Sequence, residues 1–261
     1  MNDSEVTQLA GQPLAGEGAF GTELGTVLVL IVVIIGFAIQ THRRGSLSIP
    51  ALCAIAGFSI FWQEFYADWA GYLLWSPKFH LMPWGSTLWT TPNKPWYMIA
   101  SYPLFMCFAF TSMLALCRFG MRKLPTTNAF LVCLFTAGPA LFVINFLLEV
   151  ASVGVAGQWT YVDIMGPAWI TDKGHQPIFF PGINFGIWGA ALCFFILRQS
   201  TEGHPTFEKI FRCETFSPGW AHESMRAVAW MVFWNLTYWF LFSFPLIGLR
   251  EFFGQPNALV P

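Results

Sequence analysis

Six apolar runs of near-membrane length constrain this chain more than any other feature of its sequence. They lie near residues 26–40, 49–73, 96–116, 127–153, 178–197 and 227–252. A helix needs about 20 mostly apolar residues to cross a bilayer, and the first run reaches that length only if it begins near Phe20. Only 10% of the residues are charged, against about 25% in a soluble domain. We therefore predict an all-α fold: a polytopic membrane helical bundle of about six transmembrane helices, one integral membrane domain over 1–261 with the lipid bilayer as a partner.

Basic residues predict the orientation of the bundle. Nine of the 13 Lys and Arg residues fall in alternate connections, after the first, third and fifth runs. By the positive-inside rule, both termini and the 2–3 and 4–5 loops lie on the non-cytoplasmic side, and we expect the plasma membrane. The net charge of -1 argues against nucleic acid, which would require a concentrated basic face.

Buried acids gather in the outer half of the predicted bundle. The stretch FWQEFYADWAGYLLW (Phe61–Trp75) carries Glu64 and Asp68 four residues apart, on one helix face, and Asn145 and Glu149 repeat that spacing in the fourth run. Charged groups in apolar spans are costly and usually functional. The cytoplasmic halves of the same helices contain almost no buried polar residues. The predicted catalytic residues are Glu64, Asp68 and Glu149. The predicted substrate-binding residues are Trp62, Gln63, Tyr66, Trp69, Asn145, Asp163, His175 and Asn184.

The two outer loops are dense in Trp, Pro and Gly, and we interpret them as two ordered loops that form a lid. An interfacial aromatic belt is the simpler explanation of their composition. Long ordered loops, however, are often lids or binding surfaces. We predict an outward-facing pocket between runs two, four and five, covered by both loops. The 5–6 connection predicts a short interfacial helix around Phe207–Phe211.

Each of these polar residues also has a purely structural interpretation. Glu64 and Asp68 lie in a wetter interfacial layer if the second run ends near Phe65. In its own structural interpretation, Glu149 bonds Asn145 or a neighbouring helix. The remaining structural interpretations concern small-residue packing around Asn184 through Gly182 and Gly186, ordinary loop positions for His80 and His175, packing and hydrogen-bonding roles for Asn235 and Tyr238, and packing roles for all six cysteines.

Several membrane chemistries lack their residues in this sequence. Five histidines are too few for a di-iron hydroxylase, and the HExxH, GxSxG and paired aspartate-rich motifs do not occur. We therefore predict no metal and no cofactor. Acid–base chemistry on a lipophilic small-molecule substrate remains, in which one carboxyl donates a proton and a second accepts it.

The sequence also resembles a known family. The FWQEFYADW segment, the Trp/Pro-rich loop after it, the FVINFLLEV segment and the following Tyr/Pro-rich loop are similar to the AveC-like spirocyclase family, of the avermectin spiroketal cyclase type. The resemblance covers roughly residues 49–198. It implies a membrane cyclase that forms a spiroketal, with possible dehydration, on a polyketide-like substrate. The family supplies no catalytic set to transfer, so the acids above rest on the sequence itself.

Other functions remain open at this point. Membrane terpene cyclases of meroterpenoid pathways also pair acids in a small helical bundle and protonate a neutral epoxide or alkene. A small proton-coupled transporter or channel subunit uses buried carboxylates too. A lipid-binding or structural subunit is the remaining class, and the sequence leaves the oligomeric state open.

Overall fold

Nine α-helices and four short strands make up the part of the chain that the computed structural model describes, residues 18–83, 88–91, 94–199, 204–257 and 259–260. The helices are α1 (Ala19–Arg44), α2 (Ile49–Ile60), α3 (Glu64–Ala70), α4 (Met98–Lys123), α5 (Ala129–Glu149), α6 (Gly182–Leu197), α7 (Thr206–Ile210), α8 (Trp220–Tyr238) and α9 (Phe244–Phe253). The strands are β1 (Leu73–Trp75), β2 (Trp159–Tyr161), β3 (Ala168–Ile170) and β4 (His175–Pro177). Short 3₁₀ segments cover Phe61–Gln63 and Cys213–Thr215, and π-helical segments cover Val150–Val155 and Trp239–Ser243.

Five helical stretches are long and apolar enough to cross a membrane. They cover Ala19–Arg44, Ile49–Ala70, Met98–Lys123, Ala129–Val155 and Trp220–Phe253. The sixth apolar helix, α6, has only 16 residues. The predicted all-α membrane bundle is therefore confirmed. Five of the six predicted runs are membrane-length helices, and the fifth run is a shorter apolar helix.

Local sequence signals set several helix ends. α1 ends at Gly45, whose φ of 69° suits a glycine that closes a helix. α2 begins after Ser48, whose hydroxyl accepts the Ala51 N–H, with a proline in the first turn. α5 begins at Asn128, whose side chain accepts the Phe130 N–H at 2.8 Å.

Several predicted boundaries are wrong by up to seven residues, and two of these errors have a clear physical cause. The second run ends as a helix at Ala70 rather than at residue 73, because Leu73–Trp75 pairs as a strand with Trp159–Tyr161. The fifth begins at Gly182 rather than at 178, because Pro177 and Pro181 disfavour helical backbone in the residues before them. The sixth run does not break at Pro245, which lies in the first turn of α9 after the π-helical segment.

Close packing between α5 and α6 depends on small residues. A Cβ atom at Gly186 would lie 2.7 Å from the carbonyl oxygen of Gly138, so the two backbones touch here. All six cysteines are buried and free, as the packing interpretation predicts. α1 differs from the other long helices, because it packs mainly against α4 and only Ala19 and Thr41 of its residues are buried.

The two loops that we predicted as a lid fold together at one end of the bundle. β1 from the first loop pairs antiparallel with β2 from the second, and β3 and β4 form a hairpin next to them. The Ser76 N–H extends the β1–β2 pairing by donating to the Gln158 carbonyl at 2.8 Å. We call this end of the bundle, with residues 71–83, 88–91, 94–97 and 156–181, the outer end, and the opposite end the inner end.

Buried charge at the inner end contradicts one prediction. Glu208 in α7 and Glu223 and Arg226 in α8 are all buried, and Arg226 bonds both carboxylates. The predicted short helix exists as α7, and it packs on the bundle through the buried Phe207. The outer end therefore does not hold all of the buried charge.

Candidate active site

A cavity of about 300 Å³ lies under the outer loops. Apolar and aromatic side chains form most of its wall, and Glu64, Asp68, Asn145 and Glu149 reach it. We predicted walls from the second, fourth and fifth runs only. The first, third and sixth runs line the cavity as well, and α4 contributes more residues than any other helix.

Glu64 meets two phenols. It begins α3, directly after the 3₁₀ turn Phe61–Gln63, and this change of helix type directs it toward α4 and α8. Its Oε2 accepts hydrogen bonds from the hydroxyls of Tyr102 in α4 and Tyr238 in α8, the second at 3.2 Å. The two hydroxyls lie 3.3 Å apart. A carboxyl and two phenols thus form one connected hydrogen-bond network at the cavity wall.

Asp68 holds a buried lysine from the first outer loop. Its Oδ2 forms an ion pair with the Lys94 ammonium and accepts the indole N–H of Trp75 at 2.8 Å. The Lys94 side chain is fully buried, and its nitrogen also lies 3.9 Å from Oε1 of Glu64. Separating Lys94 from Asp68 would leave an unpaired buried charge, which strongly destabilises a protein. The ion pair therefore holds the first loop over the cavity.

Glu149 is oriented by the second outer loop. At the end of α5, its Oε2 accepts the Trp159 indole N–H and its Oε1 accepts the Tyr161 hydroxyl, both at 2.9 Å. Burial, and then the nearby Glu149 carboxylate, raise the pKa of Tyr161 well above its ordinary value, so this phenol keeps its proton and donates. These two bonds, and not the suggested bond to Asn145, hold the carboxyl at the cavity wall.

The charges at the cavity do not balance. Three carboxyls, those of Glu64, Asp68 and Glu149, lie within electrostatic range of one another. Among the described residues, the Lys94 ammonium pairs with Asp68 and lies near Glu64, and Glu149 forms no ion pair. Like charges in a low-dielectric site must be paired with opposite charges or neutralised by protons. This arrangement suits proton transfer better than a purely structural role.

Three predicted binding residues lie elsewhere on the bundle. The ring of Trp62 is 6.5 Å from that of Trp239, and Tyr66 packs edge-on against the same ring at 5.1 Å. Gln63 is buried, and its amide donates to the backbone and side-chain oxygens of Asn235, each at 3.0 Å. These residues hold α2 and α3 against α8, and the packing interpretation of Asn235 is confirmed.

Four further predictions also miss the cavity wall. Trp69 stacks under the Arg250 guanidinium, whose central carbon is 3.8 Å from the ring centroid. Asp163 lines a separate void of about 20 Å³, and His175 lies in β4. Asn184 is buried in the first turn of α6, beside the tight contact with α5. Helical spacing locates the acids but cannot tell which aromatic side chains face inward.

Sequence reasoning also missed residues that matter here. Tyr238 was interpreted as a packing and hydrogen-bonding residue but not as a partner of Glu64, Tyr102 received no role, and Lys94 was counted only as a loop charge. The usable signal was their position: Tyr102 is a polar side chain inside a predicted span, and Lys94 follows a Trp/Pro-rich segment directly. The two partners of Glu149 are Trp159 and Tyr161. They lie two residues apart in one strand, so their side chains share one face of it.

Comparisons with protein-family models, with curated proteins and with solved structures give no match for this chain. The resemblance to the spirocyclase family therefore stays a prediction, and the functional interpretation depends on the geometry of the cavity.

Proposed function

We propose that this protein is a membrane-embedded cyclase that closes a ring in a lipophilic, polyketide-like substrate by acid–base catalysis, forming a spiroketal. One observation carries the proposal: three carboxyls from two different spans converge on an apolar cavity of about 300 Å³, a size typical of small-molecule sites. Cavities that only separate packed helices do not need such a set of acids.

Glu64 is the proposed acid. It protonates a ketone or hemiketal oxygen of the substrate, and the bonded phenols of Tyr102 and Tyr238 hold its carboxyl in place. A protonated ketone first adds one substrate hydroxyl at its carbon, and the proton that this hydroxyl loses returns to Glu64, which gives the hemiketal. Glu64 then protonates the hemiketal hydroxyl, and breaking that carbon–oxygen bond releases water and leaves an oxocarbenium ion. Positioned proton transfer of this kind contributes about two to four orders of magnitude in rate.

Glu149 is the proposed base. A second substrate hydroxyl attacks the oxocarbenium carbon, and Glu149 accepts the proton that this hydroxyl loses. One water leaves in each turnover, which ends with Glu64 deprotonated and Glu149 protonated. Transfer of this proton from Glu149 to Glu64 restores both groups, so no external reagent is consumed. Trp159 and Tyr161 each donate to a different oxygen of the Glu149 carboxyl and so orient it. Each oxygen keeps one lone pair free to accept the substrate proton.

The cavity wall supplies the remaining requirements. Asp68 and Lys94 fix the first loop, which excludes bulk water from the cation. Aromatic side chains line the wall, including Trp75 and Phe242. The π systems of such rings can stabilise the positive charge of the proposed cation. Holding a flexible chain in a folded conformation adds to the rate.

The decisive experiment expresses the chain in a host without natural-product pathways and feeds two substrate classes, dihydroxy-ketones and neutral epoxy-isoprenoids. Wild type is compared with Glu64→Gln by product mass spectrometry. Glu214→Gln, at an exposed glutamate of the inner end, is the matched control. We expect a dehydrated product from the dihydroxy-ketone with wild type and with Glu214→Gln, and loss of this product in a well-folded Glu64→Gln variant.

Two other outcomes contradict the spiroketal proposal. An isomerised product from the epoxide alone makes the protein a terpenoid-type cyclase. No product from either class, together with proton flux in liposomes that Glu64→Gln abolishes, makes it a transporter.

We also propose that the cavity faces the non-cytoplasmic side of the plasma membrane, with both termini on that side, because the basic residues gather in the inner loops. Single cysteines introduced at exposed Asp172 and Thr126 test this, since the native cysteines are all buried. An impermeant maleimide applied to intact cells should label Asp172→Cys and spare Thr126→Cys. The reverse labelling overturns the orientation.

A further inference from the structure

A second cavity, of about 490 Å³, opens beside the first. It is a groove between Thr26 of α1 and Ile144 of α5, with the α4 face from Ser101 to Ser112 as its floor. Thr26, Ser101 and Phe105 line both cavities, so the groove continues into the chamber that holds the acids. None of the proposed catalytic residues lies in the groove.

The lining of the groove is suited to an apolar ligand. The Ser101 hydroxyl donates to the Met98 carbonyl at 3.1 Å and the Ser112 hydroxyl to the Phe108 carbonyl at 2.8 Å, so both are satisfied within α4. The remaining α4 floor residues, which include Leu104, Phe105 and Phe108, are hydrophobic. From Ser101 to Ser112 the groove follows ~16 Å of helix, about half of a hydrocarbon core of ~30 Å.

The position of the groove allows entry from the side. α1 packs mainly against α4, and the middle of α1 is exposed, as expected of a helix surrounded by lipid. A molecule dissolved in the outer leaflet can therefore reach the groove without passing the loops. Lipid tails are as apolar as the groove, so burial of apolar surface does not drive this entry. The driving force is the oxygenated end of the ligand, which lacks hydrogen-bond partners in hydrocarbon and finds them in the chamber.

We infer that the two cavities form one binding site for an elongated amphiphile taken from the bilayer, with its oxygenated end among the carboxyls and its alkyl tail in the groove between α1, α4 and α5. This inference rests on the proposed function for the identity of the reacting end. It adds the substrate class, a long-chain molecule with a single oxygenated end, and it adds a tail subsite remote from the chemistry.

Photolabelling tests this site without turnover. The probe is a long-chain dihydroxy-ketone with a diazirine midway along its alkyl tail, incorporated with the full-length protein in phosphatidylcholine nanodiscs. A hydrocarbon of equal length with the same diazirine is the matched probe. Labelled residues are identified by peptide mass spectrometry. We expect the dihydroxy-ketone probe to label the groove, and the hydrocarbon to label lipid-facing residues such as Phe135 without preference for the groove.

A pair of variants locates the tail. Ser112→Trp fills the far end of the groove from an exposed position, and Ala115→Trp places the same ring at an exposed position outside the groove lining. We expect Ser112→Trp to lower groove labelling about tenfold, equivalent to ~1.4 kcal/mol, and Ala115→Trp to leave it unchanged. Equal labelling in both variants, or equal groove labelling by the hydrocarbon, overturns the inference.

The two proposals fail in different ways. Groove labelling by a probe that is never converted to product supports the binding site and counts against the cyclase. Conversion of the probe without groove labelling, and with the same KM in Ser112→Trp as in wild type, supports the cyclase and overturns the tail subsite.

Discussion

The two ends of the bundle both bury carboxylates, yet they treat them differently. At the inner end, Arg226 bonds Glu208 and Glu223, and the Trp230 indole N–H donates to Glu208 at 2.6 Å. The Leu47 N–H donates to Glu223 at 2.8 Å, so the same cluster ties the 1–2 loop to α8. At the outer end, three carboxyls line a cavity, and Lys94 lies near two of them, Asp68 and Glu64.

The two ends show that a buried acid in a membrane protein does not indicate function by itself. Arg226 bonds two carboxylates, so acids outnumber the cation at the inner end as well, and Glu223 borders a separate void of about 190 Å³. The outer end differs because three carboxyls from two spans meet at one cavity of about 300 Å³. The inner cluster forms a clasp whose Glu208 oxygens accept from Arg226 and Trp230. The outer carboxyls are also bonded, but they border a cavity into which a substrate fits. The inner cluster therefore contributes to stability, and the outer cluster is the proposed site of chemistry.

The largest expected effect is on turnover at the outer end. Glu149→Gln keeps an oxygen that accepts the Tyr161 hydroxyl but removes the group that takes the substrate proton. We expect a loss of about two to four orders of magnitude in the rate of product formation. Product mass spectrometry on purified protein measures this rate. A variant rate within threefold of the wild-type rate, which corresponds to a change in activation free energy of ~0.7 kcal/mol, contradicts the role of Glu149 as base.

The next largest effect is on stability at the inner end. Arg226→Ala leaves Glu208 and Glu223 buried without their cation, which costs about 3–5 kcal/mol in the free energy of unfolding. Denaturant titration in detergent micelles measures this cost. Product formed per folded molecule should stay at the wild-type level. A stable Arg226→Ala variant with lost turnover would reverse the roles of the two ends.

A smaller effect is expected from the phenol that orients Glu149. Tyr161→Phe removes one hydrogen bond to a carboxylate, worth about 1.5–3 kcal/mol, so turnover should fall at least about tenfold. Because the Tyr161 pKa lies above its ordinary value, the native phenol still donates at pH 9, and the ratio of wild-type to variant rates should not change between pH 6 and pH 9. Rates measured across this range check it, and a ratio that falls toward pH 9 contradicts the assigned donor.

The smallest effect is expected at the rim of the inner cluster. His204 lies 3.5 Å from Glu208, but about half of its side chain is exposed. His204→Ala should change the free energy of unfolding by less than ~1 kcal/mol and leave product formation unchanged. A loss as large as that of Arg226→Ala would show that the clasp depends on the histidine.

Residue patterns predicted the fold better than the site. Hydropathy located all six apolar helices, and the i, i+4 spacing placed Glu64, Asp68 and Glu149 where they line one cavity. Those signals are local in sequence. Contacts between distant segments were out of reach, such as Lys94 with Asp68, because no local pattern tells which loop residue folds into a site.

The aromatic residues predicted to bind substrate lie away from the cavity wall for a related reason. Trp62 and Tyr66 share a segment with Glu64, but the 3₁₀ turn at Phe61–Gln63 and the packing on Trp239 direct them away from the cavity. Buried charge at the inner end was also missed, because Glu208 comes from a polar loop that reads as solvated until α7 packs on α8.

Product formation by two matched glutamine variants is the most direct test that the chemistry takes place in the outer cavity. Glu64→Gln and Glu208→Gln each neutralise one carboxylate, at the outer and the inner end, and dihydroxy-ketone turnover is measured per folded molecule. We expect Glu64→Gln to abolish the dehydrated product. We expect Glu208→Gln to be less stable but to form this product at the wild-type rate. Equal turnover in the two variants would contradict the assignment of chemistry to the outer cavity.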